Sequence, residues 1–343
     1  MSGFTAIDLF SGCGGLSHGL SKAGFQVVAA FDNDADSVAT YRLNHPDVKV
    51  FEGDIREVDT ADIEELLNGE QLHLLAGCPP CQGFSSMRRR NKKRSMRDDR
   101  NNLVLEYLRF VKELMPLSIM MENVPGLVNY TLFKRVVVEL RALGYNPMAA
   151  PVRIQDYGVP QRRKRLVVVG SLLGELQVAQ PTNERVTVRD AIGRLESPGD
   201  TNDPVHRIVK VHTPEVMKRI RATPKDGGSR ADVPEFELAC HKDAKVGFRD
   251  VYGRLRWDDL SSTITGGCLN PSKGRFLHPE EDRAITAREA ALLQTFPENY
   301  RFPPSVSKSS IALQIGNALP PKFSYIQSAN ILKHLEAAIA AGR

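Results

Sequence analysis

At 343 residues the chain is long enough for one large domain or two ordinary ones, and 41% hydrophobic with 25% charged residues excludes global disorder. Its longest apolar runs, such as LVVVGSLL from Leu166, fall well short of the ~20 residues of a membrane span. The net charge of +5 is local, because RRRNKKRSMRDDR (88–100) carries eight basic and two acidic residues, a +6 that leaves the remainder at −1. Such a run is either a solvated surface loop or a segment that meets a polyanion. The first residues, MSGFTAIDLF, lack a signal-peptide pattern. Five scattered cysteines suit a reduced, cytoplasmic setting better than a disulfide scaffold.

In chain order, TAIDLF (5–10) reads as a short strand running into a glycine-rich turn, followed by a helix over 16–23. FQVVAAF (25–31) is a strand, 35–44 a helix, 48–52 a strand, 62–67 a helix and 72–76 a buried strand. The apolar spacing of Leu103, Val104, Tyr107, Leu108, Val111 and Leu114 predicts a helix that Pro116 stops. A buried strand follows at 117–121, a helix at 132–143 that ends before Gly144, and a strand at 166–170. Strands alternating with helices predict an α/β fold with a doubly wound, largely parallel sheet. From about 172 to 280 the pattern decays into a loop-rich stretch, and helical signals return at 286–295 and 321–341. The last of these is long enough to pack back on the first domain.

Several motifs carry chemistry. DLFSGCGGLSHGL (8–20) is a strand, a glycine turn and a helix, but its glycines at 12, 14, 15 and 19 do not form G-x-G-x-x-G. It is either a structural turn or a turn whose amides approach a nucleotide-type cofactor. The next strand ends FDND, placing Asp32 where a carboxylate can accept ribose hydroxyls, and the third ends EGDI, offering Asp54 to an adenine amino group. Asp32 is equally a surface carboxylate taken alone; together, the three loops at one sheet edge favour an adenosine-containing ligand. GCPPCQGFS (77–85) follows the fourth strand. No second C-x-x-C or histidine pair completes a zinc site, so no metal is expected, and two prolines suit a redox helix poorly. A single nucleophilic cysteine fits best. MMENVPGL (120–127) sets Glu122 at a buried strand end, where it either caps a turn or is paired and used. QRRKRLVVVG (161–170) puts Arg163 and Arg165 on one side of an extended segment, able to hold a planar, oxygen-bearing ring or phosphate. QIGNALPP (314–321) by itself reads as a bend.

In this order the motifs resemble those of the cytosine-carbon-5 DNA methyltransferase family of bacterial type, a likeness that also takes in RDDRNNL and RAITAREAALLQTFP (283–297). Only about 172–280 falls outside it, matching the family's variable target-recognition region. The resemblance implies a Rossmann-like, S-adenosyl-L-methionine-dependent fold, double-stranded DNA as substrate, and base flipping. It implies Cys81, not Cys78, as nucleophile at carbon 6 of cytosine, Glu122 at the ring nitrogen, and Arg165 at the carbonyl oxygen with Arg163 in support. For the cofactor it points to Phe10, Gly12, Gly14, Asp32, Asp54, Ile55, Pro80 and Asn317; Asp32 stands where most members carry glutamate. For DNA it points to Ser85, Arg88, Arg89, Arg90, Lys92, Lys93, Arg94 and Arg97 in the loop after Cys81. Thr263 and Thr265, within RLRWDDLSSTITGG, resemble the recognition-region core.

The expected layout is a catalytic and cofactor domain over 1–174, a recognition domain over 175–300, and a return to the catalytic domain over 301–343. A monomer is expected, with no membrane partner, working beside a cognate restriction endonuclease that acts on the same site without a stable complex. Three rivals remain. A transfer-RNA branch of the family typically reads PCQPFT against PCQGFS here. A catalytically silent DNA-binding regulator would not need Cys81, Glu122 and Arg165. A dinucleotide oxidoreductase lacks its glycine fingerprint.

Overall fold

The computed structural model of the protein describes residues 3–80, 102–236, 238 and 250–343. They divide into two compact units. Unit 1 comprises 1–153, 164–182 and 319–343; unit 2 comprises 154–163 and 183–318.

Unit 1 is built on seven strands: β1 (Thr5–Leu9), β2 (Gln26–Asp32), β3 (Lys49–Glu52), β4 (Leu74–Gly77), β5 (Ser118–Asn123), β6 (Met148–Arg153) and β7 (Lys164–Ser171). Their order is β3-β2-β1-β4-β5-β7-β6. β1 to β5 pair in parallel, while β7 runs antiparallel between β5 and β6. Central strands covered on both faces read as continuous apolar runs, and every residue of β4 and β5 is buried. Helices α1 (Gly15–Ala23), α2 (Ala35–Asn44), α3 (Ala61–Leu67), α4 (Leu103–Leu114) and α5 (Thr131–Ala142) follow the expected spans within a residue or two. Ile7, Leu9, Phe31, Leu75, Phe110, Ile119 and Met121 form the core. Tyr107 on α4 reaches into it, its hydroxyl 3.0 Å from the carbonyl oxygens of Leu75 and Met120, so one side chain ties β4 to β5.

β6 lay outside the sequence expectation for a physical reason. MAAPVR is a half-exposed edge strand with two alanines, and Pro151 is tolerated only because an edge needs no second ladder of hydrogen bonds.

The chain's final helix, α10 (Pro321–Ala340), packs on α1 as expected of its length. Ser324 Oγ donates to the carbonyl of Leu16 at 2.8 Å, and a Cβ on Gly19 would lie 2.5 Å from the backbone nitrogen of Tyr325. Alanine at 19 would gain about 1 kcal/mol of helix propensity. Overpacking of about 1–3 kcal/mol should outweigh it, so Gly19→Ala is expected to lower the denaturation midpoint in a urea titration.

Unit 2 contains α6 (Val188–Ile192), α7 (Pro214–Ala222), α8 (Ala287–Leu293) and α9 (Lys308–Asn317), and among its described residues only isolated bridges and no strand. Buried arginines replace a sheet as its organisers. Arg254 is fully buried and donates to the carbonyls of Ile220, Thr223, His278 and Glu281 at 2.6–3.0 Å and to Asp282 Oδ1 at 2.6 Å. Arg283 pairs with Glu289, which also closes a capping box with Thr286 at the start of α8. The divisions differ from the expected 174 and 300: residues 154–163 and 301–318 group with unit 2. QIGN is the last turn of α9 rather than a bend.

Candidate active site

The loops leaving β1, β2, β3 and β4 are stitched together at the carboxyl edge of the sheet. Cys78 N donates to Leu9 O at 3.1 Å, Ser11 N to Phe31 O at 2.9 Å, and Gly53 N to Asp32 O at 3.1 Å. The glycine turn has left-handed backbone at Phe10, Gly12 and Gly14, with φ of 62°, 54° and 94°. A Cβ at Gly12 would meet nothing within 4 Å, so the space beside its α carbon is open, while the amides of Ser11 and Gly14 are taken by the carbonyls of Phe31 and Ser11. Asp32 holds this turn: its Oδ2 accepts from Gly12 N at 2.7 Å and its Oδ1 from Asp34 N at 3.0 Å. Burial raises its carboxyl above the usual range, against the pull of those backbone amides. Each oxygen keeps a further acceptor site for a hydroxyl.

Asp54 caps the 3-10 turn Ile55–Glu57, accepting from Arg56 N, and both its oxygens meet the Arg56 guanidinium. Those hydrogen bonds hold its carboxyl below the ordinary value. The expected adenine contact therefore competes with Arg56. Ile55 is buried beside it, and Pro80 stands half-buried at the end of the loop after β4.

Register assembles the chemical part of the edge. Gly77 pairs with Met121, which sets Cys78 beside Glu122 on the neighbouring strand. Glu122 is buried, and its Oε1 lies 2.5 Å from Arg165 Nε, an ion pair out of line for a hydrogen bond. Arg165 Nη1 donates to its neighbour's carbonyl, Lys164 O, at 2.8 Å. Next to Glu122, Asn123 Nδ2 donates to Pro79 O at 3.0 Å, pinning the proline turn to the strand that carries the carboxylate. Asn123 was missed from sequence, although an amide beside a buried glutamate was a usable signal. Burial, with Glu122 and Asp8 adding to it, pushes the Cys78 thiol well up. Cys81, Ser85, Arg88, Arg89, Arg90, Lys92, Lys93, Arg94 and Arg97 lie outside the described residues.

The two arginines of QRRKR fall in different units, Arg163 in unit 2 and Arg165 in unit 1. Arg163 is buried in unit 2, its Nη1 donating to Ile264 O at 2.9 Å and Gly316 O at 3.1 Å, and its Nη2 to Ala318 O at 3.4 Å. These bonds tie it to the 264 and 316–318 segments. Gln161 reinforces the knot: its Nε2 donates to Leu293 O and Gln294 Oε1, and its Oε1 accepts from Ile264 N. Gln294 reaches Ile315 O in turn. Thr263 Oγ1 donates to Arg162 O at 2.5 Å, Thr265 is half-buried beside it, and Asn317 is exposed at the end of α9. Among the described residues no group of three or more His, Cys, Asp or Glu is arranged to hold a metal ion. No described helix is long and apolar enough to cross a membrane.

The sheet order, the glycine turn at the carboxyl end of β1 and the acidic ends of β2 and β3 define the fold of S-adenosylmethionine-dependent methyltransferases. The family model described as C-5 cytosine-specific DNA methylase matches residues 4–333, and the chain belongs to that family. It is 37% identical to the type II methylase M.HgiDII of Herpetosiphon aurantiacus, over 96% of this chain and 95% of that one. It is 32% identical to the type II methyltransferase M1.HphI of Haemophilus parahaemolyticus, over 96% and 87% of the two chains. Among solved structures, an E. coli prophage protein described as a DNA modification methyltransferase superposes with a TM-score of 0.75 at 25% identity, covering 97% of this chain and 99% of the other.

Proposed function

We propose that this enzyme methylates carbon 5 of a flipped-out cytosine within a short duplex DNA sequence, as the modification partner of a type II restriction system. The observation that carries the reading is the buried Glu122–Arg165 pair at the carboxyl edge, joined through Asn123 to the turn that leads into Cys81. Cytosine is a poor nucleophile at carbon 5. Addition of the Cys81 thiolate to carbon 6 makes carbon 5 electron-rich, and Glu122 meets the ring nitrogen so that charge does not accumulate on the base. Arg165 has a planar, permanently charged head suited to the base carbonyl, and it keeps the Glu122 carboxylate oriented. Loss of the carbon-5 proton then lets Cys81 depart and restores the aromatic ring.

The turn at Phe10, Gly12 and Gly14, with Asp32, Asp54, Ile55 and Pro80, offers open space, carboxylates and an apolar wall that fit S-adenosylmethionine; Asn317 is a further candidate. The open space over Gly12 is the feature a bound ligand would fill. When bound, S-adenosylmethionine supplies a methyl group activated by a sulfonium. Unit 2, with Thr263 and Thr265, is the proposed reader of sequence, and the division at 182 and 318 is the proposed domain boundary.

Methylation of a complex DNA followed by base-resolution mapping of 5-methylcytosine tests the reading. One modified sequence context is the expected result; transfer to transfer RNA and not to DNA would overturn it. The basic run 88–100 supplies phosphate contacts in this scheme. Changing Arg88, Arg89 and Arg90 to glutamine is therefore expected to reduce the slope of log affinity against log salt by about 1 for each phosphate no longer neutralised, in fluorescence-anisotropy titrations.

A further inference from the structure

Asp8 is a carboxylate inside an apolar strand, and it is fully buried. Its Oδ2 accepts from Ser17 Oγ at 2.6 Å, and that hydroxyl lies 2.6 Å from Tyr41 Oη. Its Oδ1 has no hydrogen-bond partner among the described residues. Such an oxygen is costly to bury, and nothing in the chemistry above uses it. The register sets Asp8 opposite Ala30 and Ala76, and two residues further along the same rows stand Asp32 and Cys78, at the carboxyl edge. The groups that face it are Ser17 from α1, Tyr41 from α2, Asp32 at the end of β2 and Cys78 after β4. His45 packs on Tyr41, with His18 beyond it. After burial itself, the strongest influences on Asp8 are Ser17, which is neutral, and Asp32, which is of its own sign.

We propose that Asp8 is a specificity-determining residue of the cofactor site, favouring the cationic sulfonium of S-adenosylmethionine over the neutral thioether of S-adenosylhomocysteine through its field rather than by contact. The inference rests on the cofactor reading above. Burial pushes the Asp8 carboxyl up to about 7, so near neutrality it is divided between acid and carboxylate. A cation arriving at the carboxyl edge favours the carboxylate, and a proton leaves as the sulfonium binds; the thioether has no such effect. The sign follows: carboxylate grows as pH rises through 7, so sulfonium affinity rises across that window while thioether affinity stays level. Once the methyl group is transferred the attraction is gone, which hastens release of the product.

Isothermal titration calorimetry of the full chain with each compound, in buffers of different ionisation enthalpy from pH 6 to 8, tests this. S-adenosylmethionine is expected to release a fraction of a proton near pH 7 and S-adenosylhomocysteine none. Asp8→Asn is expected to remove that release and to weaken the sulfonium compound roughly ten-fold and the thioether less than about two-fold. Equal weakening of both compounds, or proton release that survives Asp8→Asn, would overturn the proposal. Ser17→Ala provides a second route if Asp8→Asn fails to fold. Removing the donor to Oδ2 should move the pH dependence of sulfonium binding upward, and an unmoved dependence would also overturn it. Wild-type protein that binds neither compound would overturn the cofactor reading and this inference with it.

Discussion

Cys81→Ser is expected to abolish methyl transfer to DNA, and Glu122→Gln to lower kcat by about 10²–10⁴-fold with little change in KM for DNA. The two losses have different origins. Serine offers a far weaker nucleophile than a thiolate, so the addition to carbon 6 that makes carbon 5 reactive does not occur. Glutamine keeps the size of Glu122 but has no carboxylate to hold a proton against the ring nitrogen as the thiolate adds, and it leaves the Arg165 guanidinium beside a neutral amide where an anion stood at 2.5 Å. Arg165→Lys keeps the charge and loses the planar fork, so it should fall between wild type and Glu122→Gln. Cys78 supplies the contrast. Its thiol is held well above the ordinary range by burial, by Glu122 and by Asp8, so it stays protonated and inert at neutral pH. Cys78→Ser should leave turnover largely intact, and metal analysis should find no stoichiometric zinc. Single-turnover transfer of a labelled methyl group, with cofactor binding measured in parallel, separates the cases. Turnover retained in Cys81→Ser, or lost equally in Cys78→Ser, would refute the assignment of the nucleophile.

The parts of this molecule that were legible in the sequence are those in which side-chain type follows burial. β4 and β5 are buried on both faces and wrote themselves as apolar runs; α4 buries one face and kept the helical period. Glu122 stood out because a carboxylate at the end of a buried strand needs a reason. Where backbone groups carry the structure, the sequence was silent. Arg163 bonds to the carbonyls of Ile264, Gly316 and Ala318, and any residue type would supply them, so these contacts could not be read. Unit 2 was harder still, because buried arginines bonded to carbonyls organise it in place of a sheet. Its short helices did leave signals: Thr187 with Asp190, and Thr213 before Pro214, are capping patterns that announce α6 and α7. Asp8 was also in plain view, an acid among apolar neighbours in TAIDLF, overshadowed by the glycines that follow it.

The QIGN segment shows why a glycine can mislead, and it yields the largest expected loss of stability. In the sequence, Gly316 and Asn317 before Ala-Leu-Pro-Pro read as turn formers. In the structure Gly316 is helical and serves close approach: a Cβ there would lie 2.0 Å from the carbonyl carbon of Thr265 and 2.1 Å from the nitrogen of Gly266. Both atoms are backbone, so no rotamer change relieves the clash. The 265–266 peptide must move, and with it the Ile264 carbonyl and the Gly316 carbonyl that share Arg163 Nη1. Gly316→Ala is therefore expected to destabilise the protein by about 3 kcal/mol or more, at the upper end for overpacking and against the usual gain of alanine over glycine in a helix. Gly199→Ala, in the same unit and with nothing within 4 Å of the added carbon, should stay within about 0.5 kcal/mol of wild type. Thermal and urea unfolding of the two variants side by side provides the comparison. Arg163→Met should share the defect of Gly316→Ala, and the double variant should lose less than the sum, because both changes release the same carbonyls. Additive losses would show that Gly316 and Arg163 act on separate parts of unit 2 and are not coupled through these carbonyls.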